Sequence, residues 1–529
     1  MHGIRPPNWA CDPPAKVHNL TLAQYQFGPV SDVVPREQLG MGYFIGDPSW
    51  EVAATTIPYE MLTATGNVGH LAASYDGPQA LLQWFNALGQ ANASTHGLID
   101  WSYLGDWVPV GGSGSDNSNP NTPNNKLVAN ANYALAAQQA AEMAAALGKA
   151  GDAALYTALA AQLSRAIADT YWNASALHWD RGSQSAQALC LAGGLGGQGL
   201  AAPAAAALLA GLQAAGGRLT VGASGAQVLL RVLHAIDPAA ALALALQTAE
   251  PSWGAFVTQN SSAAPVSTPG TMWESWEFGD VVGGSSLNHI FKAGGISPYL
   301  YESALGLHFA MRPRAGREAC PCEGSLGLPW SPSARLGMDC AAVAAVCSVV
   351  AGGAGSELGA LRSAVESALK TAEPAQISPP ALAARVGFAV SQAAAEGLGR
   401  AQGWRSTPAG RVELAWAWEG GRLSVNVSAP AGESAVSVLE LPLGLGGEGG
   451  KRVSWLGGSV RVAAANGKLG VVELTGSAQA WLPQVLQCGV GAAAAHVNGG
   501  SPVPPAACHA VLTLTVPAGT HALLFETRA

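Results

Sequence analysis

Tryptophan beside carboxylate is the most informative pattern in this sequence. Of its 16 tryptophans, several stand in short polar runs flanked by glycine, where a hydrophobic core would not need them. Gly46-Asp47-Pro48-Ser49-Trp50 opens a helical stretch. Gly105-Asp106-Trp107 precedes a loop rich in Gly, Ser, Asn and Pro, and Pro251-Ser252-Trp253-Gly254 follows another helix. Thr271-Met272-Trp273-Glu274-Ser275-Trp276-Glu277 then packs two indoles and two carboxylates into one short run. A lone tryptophan in such a setting reads as a core anchor, but four runs in one region read as aromatic platforms. A sugar has apolar C–H faces and a polar rim, so indoles beside carboxylates suit a carbohydrate site. Hydrolysis of a glycosidic bond generally uses two carboxyl groups, one protonating the leaving oxygen and the other acting as base or nucleophile. Glu274, between two indoles, is the first candidate. His289, in Ser285-Ser286-Leu287-Asn288-His289, is a second polar candidate, with capping or packing of the following helix as its other reading.

The elements that must position these residues are mostly helices. Trp50–Thr65, His70–Gln90 and Asn125–Leu147 each carry a helical pattern, the last ending at Gly148 in a C-cap position. Asp152 stands where an N-cap belongs, and Leu155, Leu159, Leu163 and Ile167 recur along one face. Paired helices follow at Ser183–Leu195 with Pro203–Ala215 and at Ser224–Ile236 with Pro238–Thr248, and Ser286–Leu305 closes the series. Helical hairpins repeated without a strict sequence period point to a closed ring rather than an open solenoid. The period then changes. Val412, Leu414, Trp416 and Trp418 alternate with other residues, Glu419-Gly420-Gly421 makes a turn, and Leu423, Val425 and Val427 alternate again, which predicts a β-hairpin. Leu512, Leu514 and Val516 around Thr513 and Thr515 repeat the pattern, so the tail is expected to be an antiparallel β-sandwich. Between these regions, Arg312 to about Gln402 is rich in Ala, Ser and Gly and is expected to be partly helical and partly disordered. The expected organisation is therefore 1–307 helical, 308–403 inserted and 404–529 β.

Composition bounds the class. At 529 residues the chain is long enough for several domains. Hydrophobic residues make up 49% and exclude wholesale disorder, while Gly (66) and Pro (33) lack any collagen-like period. A formal charge of −8 argues against a nucleic-acid partner held by a broad basic surface. The most apolar stretch, Gly199–Gly216, is mostly Ala and Gly with Pro203 and Gln213, so it reads as an Ala-rich helix and no membrane span is expected. Met1 is followed by no apolar run, so no signal peptide is expected. Eight cysteines do not make a disulfide scaffold. Cys320, Cys322, Cys340 and Cys347 could gather around a metal, but their spacing is irregular and no His sits among them, so neither a metal nor a cofactor is expected. Sequons at Asn19, Asn92, Asn173, Asn260 and Asn426 permit a secretory history without establishing one. Compartment and oligomeric state stay open.

Taken together and in order, Pro251-Ser252-Trp253-Gly254, Thr271-Met272-Trp273-Glu274-Ser275-Trp276, Ser286-Leu287-Asn288-His289, Pro298-Tyr299-Leu300-Tyr301 and Gly306-Leu307 resemble the bacterial-type α-L-rhamnosidases of glycoside hydrolase family 78. Gly46–Trp50 and Gly105–Trp107 match upstream. The resemblance covers roughly 28–307 and resumes at about 404–430. It implies an (α/α)6 barrel that hydrolyses terminal α-L-rhamnose with inversion, followed by a C-terminal β-sandwich. Carried over by residue, it implies that Glu274 is the general base that activates water. Trp50, Trp107 and His289 would line the rhamnose pocket, Asp106 would meet sugar hydroxyls, and Trp253 and Trp276 would be further pocket residues. The family's acid motif, D-x-x-x-R-x-E-x-x-x-W-x-x-D, does not occur in this sequence, and residues 1–27 carry only Asp12 as a carboxylate. The sequence is thus expected to start inside the barrel, as a fragment or a remnant. It is expected to hydrolyse ordinary rhamnosides slowly, with Glu37 and Asp47 the first replacement acids to test. Two other readings stay open: a non-catalytic carbohydrate-binding remnant, and an (α/α)6 glycosidase acting on another sugar.

Overall fold

The computed structural model describes residues 47–91, 93–112, 119, 121–258, 271–277, 286, 289–310, 320–326, 336, 338–353, 357–371, 385–390, 392–407, 410–420 and 422–429, with the backbone of strands between 437 and 527. The described helices are α1 (Ala53–Thr65), α2 (Val68–Ser74), α3 (Asp76–Gln90), α4 (Asn125–Ala146), α5 (Ala150–Tyr171), α6 (Gln184–Ala192), α7 (Gly197–Ala214) and α8 (Ala223–Ile236). They continue as α9 (Pro238–Ala245), α10 (Trp253–Thr258), α11 (Ile290–Tyr299), α12 (Cys340–Ala351), α13 (Leu358–Thr371) and α14 (Gln392–Leu398). None of the described helices is long and apolar enough to cross a membrane. The chain divides into two compact units. The first holds Met1–Leu229, Gln259–Phe291 and Arg312–Leu382, and the second Leu230–Thr258, Lys292–Met311 and Ala383–Ala529.

In the first unit α4 is buried on nearly every side. Its alanines let neighbouring helices approach closely, and a helix apolar all round belongs in an interior. It pairs with α5 across a tight turn in which Gly148 takes φ 70°. Side-chain caps set the starts: Asn124 accepts from the Lys126 N–H, Ser183 from Ala186 and Asp339 from Ala342. Three expected helices differ in detail. The helix after Trp50 begins only at Ala53, because the preceding residues turn around Asp47. The expected His70–Gln90 helix is two, α2 and α3, the first capped by Asn67. Asp152 is not an N-cap. The helix starts at Ala150, and the Asp152 carboxylate instead meets Arg362 at 2.9 Å and the Tyr75 hydroxyl and Gln79 amide at 3.3 Å each. Burial, and then the nearby Asp152 charge, push the Tyr156 phenol up to about 12.

The segment between the helical and β regions contains well-packed structure among its described residues. Arg165 on α5 donates to the Val350 and Ser325 carbonyls, and the Leu358 N–H donates to Asn86 Oδ1 on α3. Cys320, Cys322, Cys340 and Cys347 are not metal ligands but form two disulfides, Cys320–Cys340 and Cys322–Cys347, with Cα atoms 5.4 and 6.3 Å apart. Irregular spacing in sequence hid the pairing, since α12 presents Cys340 and Cys347 seven positions apart to a loop that carries the other two.

In the second unit the helical period gives way to strands. They follow β1 (Trp172–Asn173) and β2 (His178–Trp179) of the first unit and include β9 (Lys451–Trp455), β10 (Gly458–Ala465), β11 (Lys468–Gly476), β12 (Gln484–Leu486) and β13 (Val511–Val516). The expected hairpin is β6 (Gly410–Glu419) with β7 (Arg422–Ala429), in register Leu414↔Val427 and Trp416↔Val425. Val412, Leu414 and Trp416 face inward, as do Leu423, Val425 and Val427. β5 (Arg400–Thr407) pairs with β6, and β14 (Gly519–Thr527) with β7, within a seven-stranded antiparallel sheet. A second sheet of five strands contains β3 (Leu307–Ala310), β4 (Arg385–Ala389) and β8 (Ser437–Pro442). Its β4–β8 pair is parallel, so this sheet is mixed rather than purely antiparallel. The expected strand around Thr513 and Thr515 is Val511–Val516, paired with β8. Trp416 closes the inner face by donating its indole N–H to the Leu305 carbonyl at 2.9 Å.

Candidate active site

Three stretches of the first unit build the site. The first is the turn at Asp47, whose buried carboxylate accepts from the Ser49 N–H and hydroxyl, the Ser102 hydroxyl and the Tyr103 and Leu104 N–H groups. One side chain thereby ties the turn carrying Trp50 to the loop carrying Trp107. The second is that loop itself. Asp106 is 1% exposed, and its carboxylate accepts from the Ser185 hydroxyl on α6 and from the Gly222 and Gly225 N–H groups (2.8 and 2.9 Å) at the start of α8. An anionic side chain at a helix N-terminus meets unsatisfied N–H groups and the positive end of the dipole. The Ala223 N–H donates to the Trp107 carbonyl at 2.7 Å, and Val108, a β-branched residue, is held at φ 50°. The third stretch, 271–277, pairs with 286–289: the Glu274 N–H donates to the Ser286 carbonyl at 2.9 Å and the His289 N–H to the Met272 carbonyl at 2.7 Å.

These contacts bring the chemistry together. The Trp107 indole N–H donates to Glu274 Oε1 at 2.7 Å, and the Ser286 N–H donates to Oε2 at 2.8 Å. An ionised carboxylate is an acceptor only, and both oxygens of Glu274 are used as acceptors. The Trp50 and Trp107 rings meet edge to face at 6.1 Å, Trp50 meets Phe291 at 4.8 Å, and Phe291 meets His289 at 4.7 Å. The result is a partly exposed carboxylate at one end of a continuous run of four rings. Glu277 braces the arrangement by accepting from the Gly111 N–H at 2.8 Å, which joins the third stretch to the loop after Trp107.

The other sequence candidates sit differently. Trp276 is completely buried and donates its indole N–H to the Val221 carbonyl at 2.7 Å, so it anchors the third stretch and has no face left for a ligand. Trp253 lies in the second unit, also buried, with its N–H on the Lys292 carbonyl at 2.8 Å. Asp106 has both oxygens engaged by the donors just named. Glu37 lies outside the described residues, and the Asp47 carboxylate is taken up by its loop contacts. Phe291 was missed by sequence reasoning, although its place two residues after His289 could have marked it. The long-range partners of Asp47 and Asp106 left no local signal.

An acceptor carboxylate set beside aromatic rings can meet both the hydroxyls and the apolar C–H faces of a sugar. Residues 16–304 match the family described as the bacterial alpha-L-rhamnosidase 6 hairpin glycosidase domain, and the chain belongs to that family. An alpha-L-rhamnosidase of Streptomyces avermitilis is 30% identical over 317 residues, which span 57% of this chain and 28% of that protein. The chain thus spans less than a third of the relatives it matches in sequence. Among solved structures, the alpha-L-rhamnosidase from Dictyoglumus thermophilum has a TM-score of 0.62 at 17% identity, over 97% of this chain and 43% of the other. The Streptomyces avermitilis enzyme complexed with L-rhamnose has a TM-score of 0.59 at 20% identity, over 96% and 36%. At these identities the structural likeness is one of fold.

Proposed function

We propose that this chain carries the base-bearing part of an inverting α-L-rhamnosidase, with Glu274 as the general base that activates water. The observation that carries this reading is the Trp107–Glu274 hydrogen bond of 2.7 Å beside the Trp50 and Phe291 rings. The indole N–H holds one carboxylate oxygen in place, and the rings offer apolar surface to the C–H face of a deoxysugar. Trp50, Trp107, Phe291 and His289 are read as the pocket wall, and Asp106 as the residue that positions Trp107 rather than one that meets sugar. The helical region to about 307 is read as an (α/α)6 barrel, 308–403 as an insertion and 404–529 as a β-sandwich. Inversion calls for a second carboxyl about 6.5–9.5 Å from the base, leaving room for water.

The reading assigns no acid among the described residues, where Asp47 is spent on its loop, and leaves Glu37, which lies outside them, as the replacement acid to test. The test therefore uses 4-nitrophenyl α-L-rhamnopyranoside, whose leaving group needs little protonation. On residues 1–529 expressed alone, Glu274→Gln should lower kcat by about 10²–10⁴-fold with KM little changed. Unactivated rhamnosides should turn over far more slowly than the nitrophenyl substrate. Proton NMR of the first-formed rhamnose should show the β anomer. A Glu274→Gln protein with undiminished kcat, or α-rhamnose as the first product, would overturn the proposal.

A further inference from the structure

The second unit presents a feature that the Glu274 site does not use. The outward face of β5, β6 and β7 forms a cleft of about 540 Å³, within the range of small-ligand sites. Its registers set two rows across three strands. Trp404, Glu413 and Ser428 lie side by side in one, and Gln402, Ala415 and Asn426 in the other. Alternation puts all six on the face opposite the buried Leu414, Trp416, Val425 and Val427. Ala415 has the smallest side chain of the six and stands at the middle of its row, so the floor is hollow between Gln402, Asn426 and the indole. Tyr301 rims the cleft.

Trp404 is 51% exposed, unusual for so large an apolar side chain. It is nevertheless held: the Arg411 guanidinium lies 4.4 Å from its ring centroid, and Arg411 is itself fixed by Glu413 at 2.7 Å. An indole braced by a cation–π contact has lost part of its rotamer freedom before any ligand arrives. The Arg411–Glu413 pair leaves no net charge for a phosphate or polyanion to exploit. The remaining groups, Gln402, Asn426 and Ser428, are neutral and both donate and accept. An aliphatic partner surface would find little to bury here, whereas a pyranose can lay its C–H face on the indole and its hydroxyls on the amides and carboxylate.

We propose that this face is a binding site for a neutral oligosaccharide, separate in sequence and in unit from the Glu274 site. The test titrates cellohexaose, mannohexaose and a neutral rhamnan oligosaccharide into residues 1–529 carrying Glu274→Gln, so that turnover does not interfere, with binding measured calorimetrically. At least one sugar should bind, and Trp404→Ala should weaken it about tenfold or more. Ala415→Glu, which fills the hollow from a half-buried strand position, should do the same, while Trp107→Phe should leave this binding unchanged. Neither Trp404→Ala nor Ala415→Glu should alter kcat on the nitrophenyl rhamnoside in the protein with Glu274 intact. The proposal is overturned if none of the three sugars binds, if binding survives both cleft substitutions, or if Trp107→Phe abolishes it. It is equally overturned if no sugar binds and Trp404→Ala instead dissociates a dimer in sedimentation, which would make the face a self-association surface.

Discussion

The indole of Trp107 supplies a donor as well as a flat ring, and the two contributions can be separated by substitution. Its N–H meets Glu274 Oε1 at 2.7 Å, and hydrogen bonds to charged groups contribute about 1.5–3 kcal/mol. Trp107→Phe keeps an aromatic surface beside Trp50 and removes only the donor. On the nitrophenyl rhamnoside we expect kcat to fall by about 10–100-fold, with KM changed far less, because the wall that meets the sugar is retained. Steady-state kinetics check this, and an unchanged kcat with a raised KM would make Trp107 a binding surface alone. Glu274, Trp107, Trp50 and His289, singled out by residue type alone, are brought together by the structure. Asp106 and Trp276 stand in equally suggestive runs, but burial decides their use. A carboxylate that accepts from Ser185, Gly222 and Gly225 is a structural hub, and nothing within its own run names partners that lie 79 to 119 positions away.

At the scale of elements, the loop from Ser102 to Gly112 owes its shape to the start of α8. The Gly222 position is where the two meet most closely: a Cβ there would lie 2.4 Å from the Asp106 carbonyl oxygen and 2.7 Å from that of Trp107. Both obstacles are backbone, so neither can rotate away. Gly222→Ala should therefore displace the Asp106–Trp107 backbone and break the Ala223 N–H contact to the Trp107 carbonyl. Overpacking of this kind costs about 1–3 kcal/mol, to be read from the urea midpoint. The signature beyond lost stability would be a fall in kcat matching that of Trp107→Phe, with little further loss when both changes are combined, since both act on the same indole. Independent losses that simply multiply would show that Gly222 supports the fold without aiming the ring. Helix positions were largely legible from apolar spacing and caps, as Asn125–Ala146 and Ala223–Ile236 illustrate. Asp152 was misread because an acidic residue near a helix start looks alike whether it caps or reaches across. Here its carboxylate reaches Arg362, 210 positions away.

For the whole molecule, the two compact units interleave along the sequence, each assembled from three separate segments. Hairpin order and strand alternation made the helical and β regions readable, but not this interleaving, because long-range packing decides it. The Arg312–Leu382 segment shows the difference. Its weak periodicity pointed to a partly helical stretch without naming its partners; α12 and α13 pack on α5, and two disulfides clip the loop before α12 to that helix. The rings they close span 20 and 25 positions and overlap, so the second restricts an unfolded chain less than the first. Replacing both Cys340 and Cys347 by Ser should cost about 2–5 kcal/mol in all, seen as a lower thermal midpoint. Alkylation of the native protein checks the pairing itself: Cys320, Cys322, Cys340 and Cys347 should label only after reduction. The loss should fall on the helical unit, where Arg165 bonds to the Val350 and Ser325 carbonyls and Arg362 pairs with Asp152. Hydrogen exchange should therefore quicken along α12 and α13 in the double variant and stay unchanged in β6 and β7. Labelling without reductant, or equal loss of protection in the β6–β7 hairpin, would contradict this account.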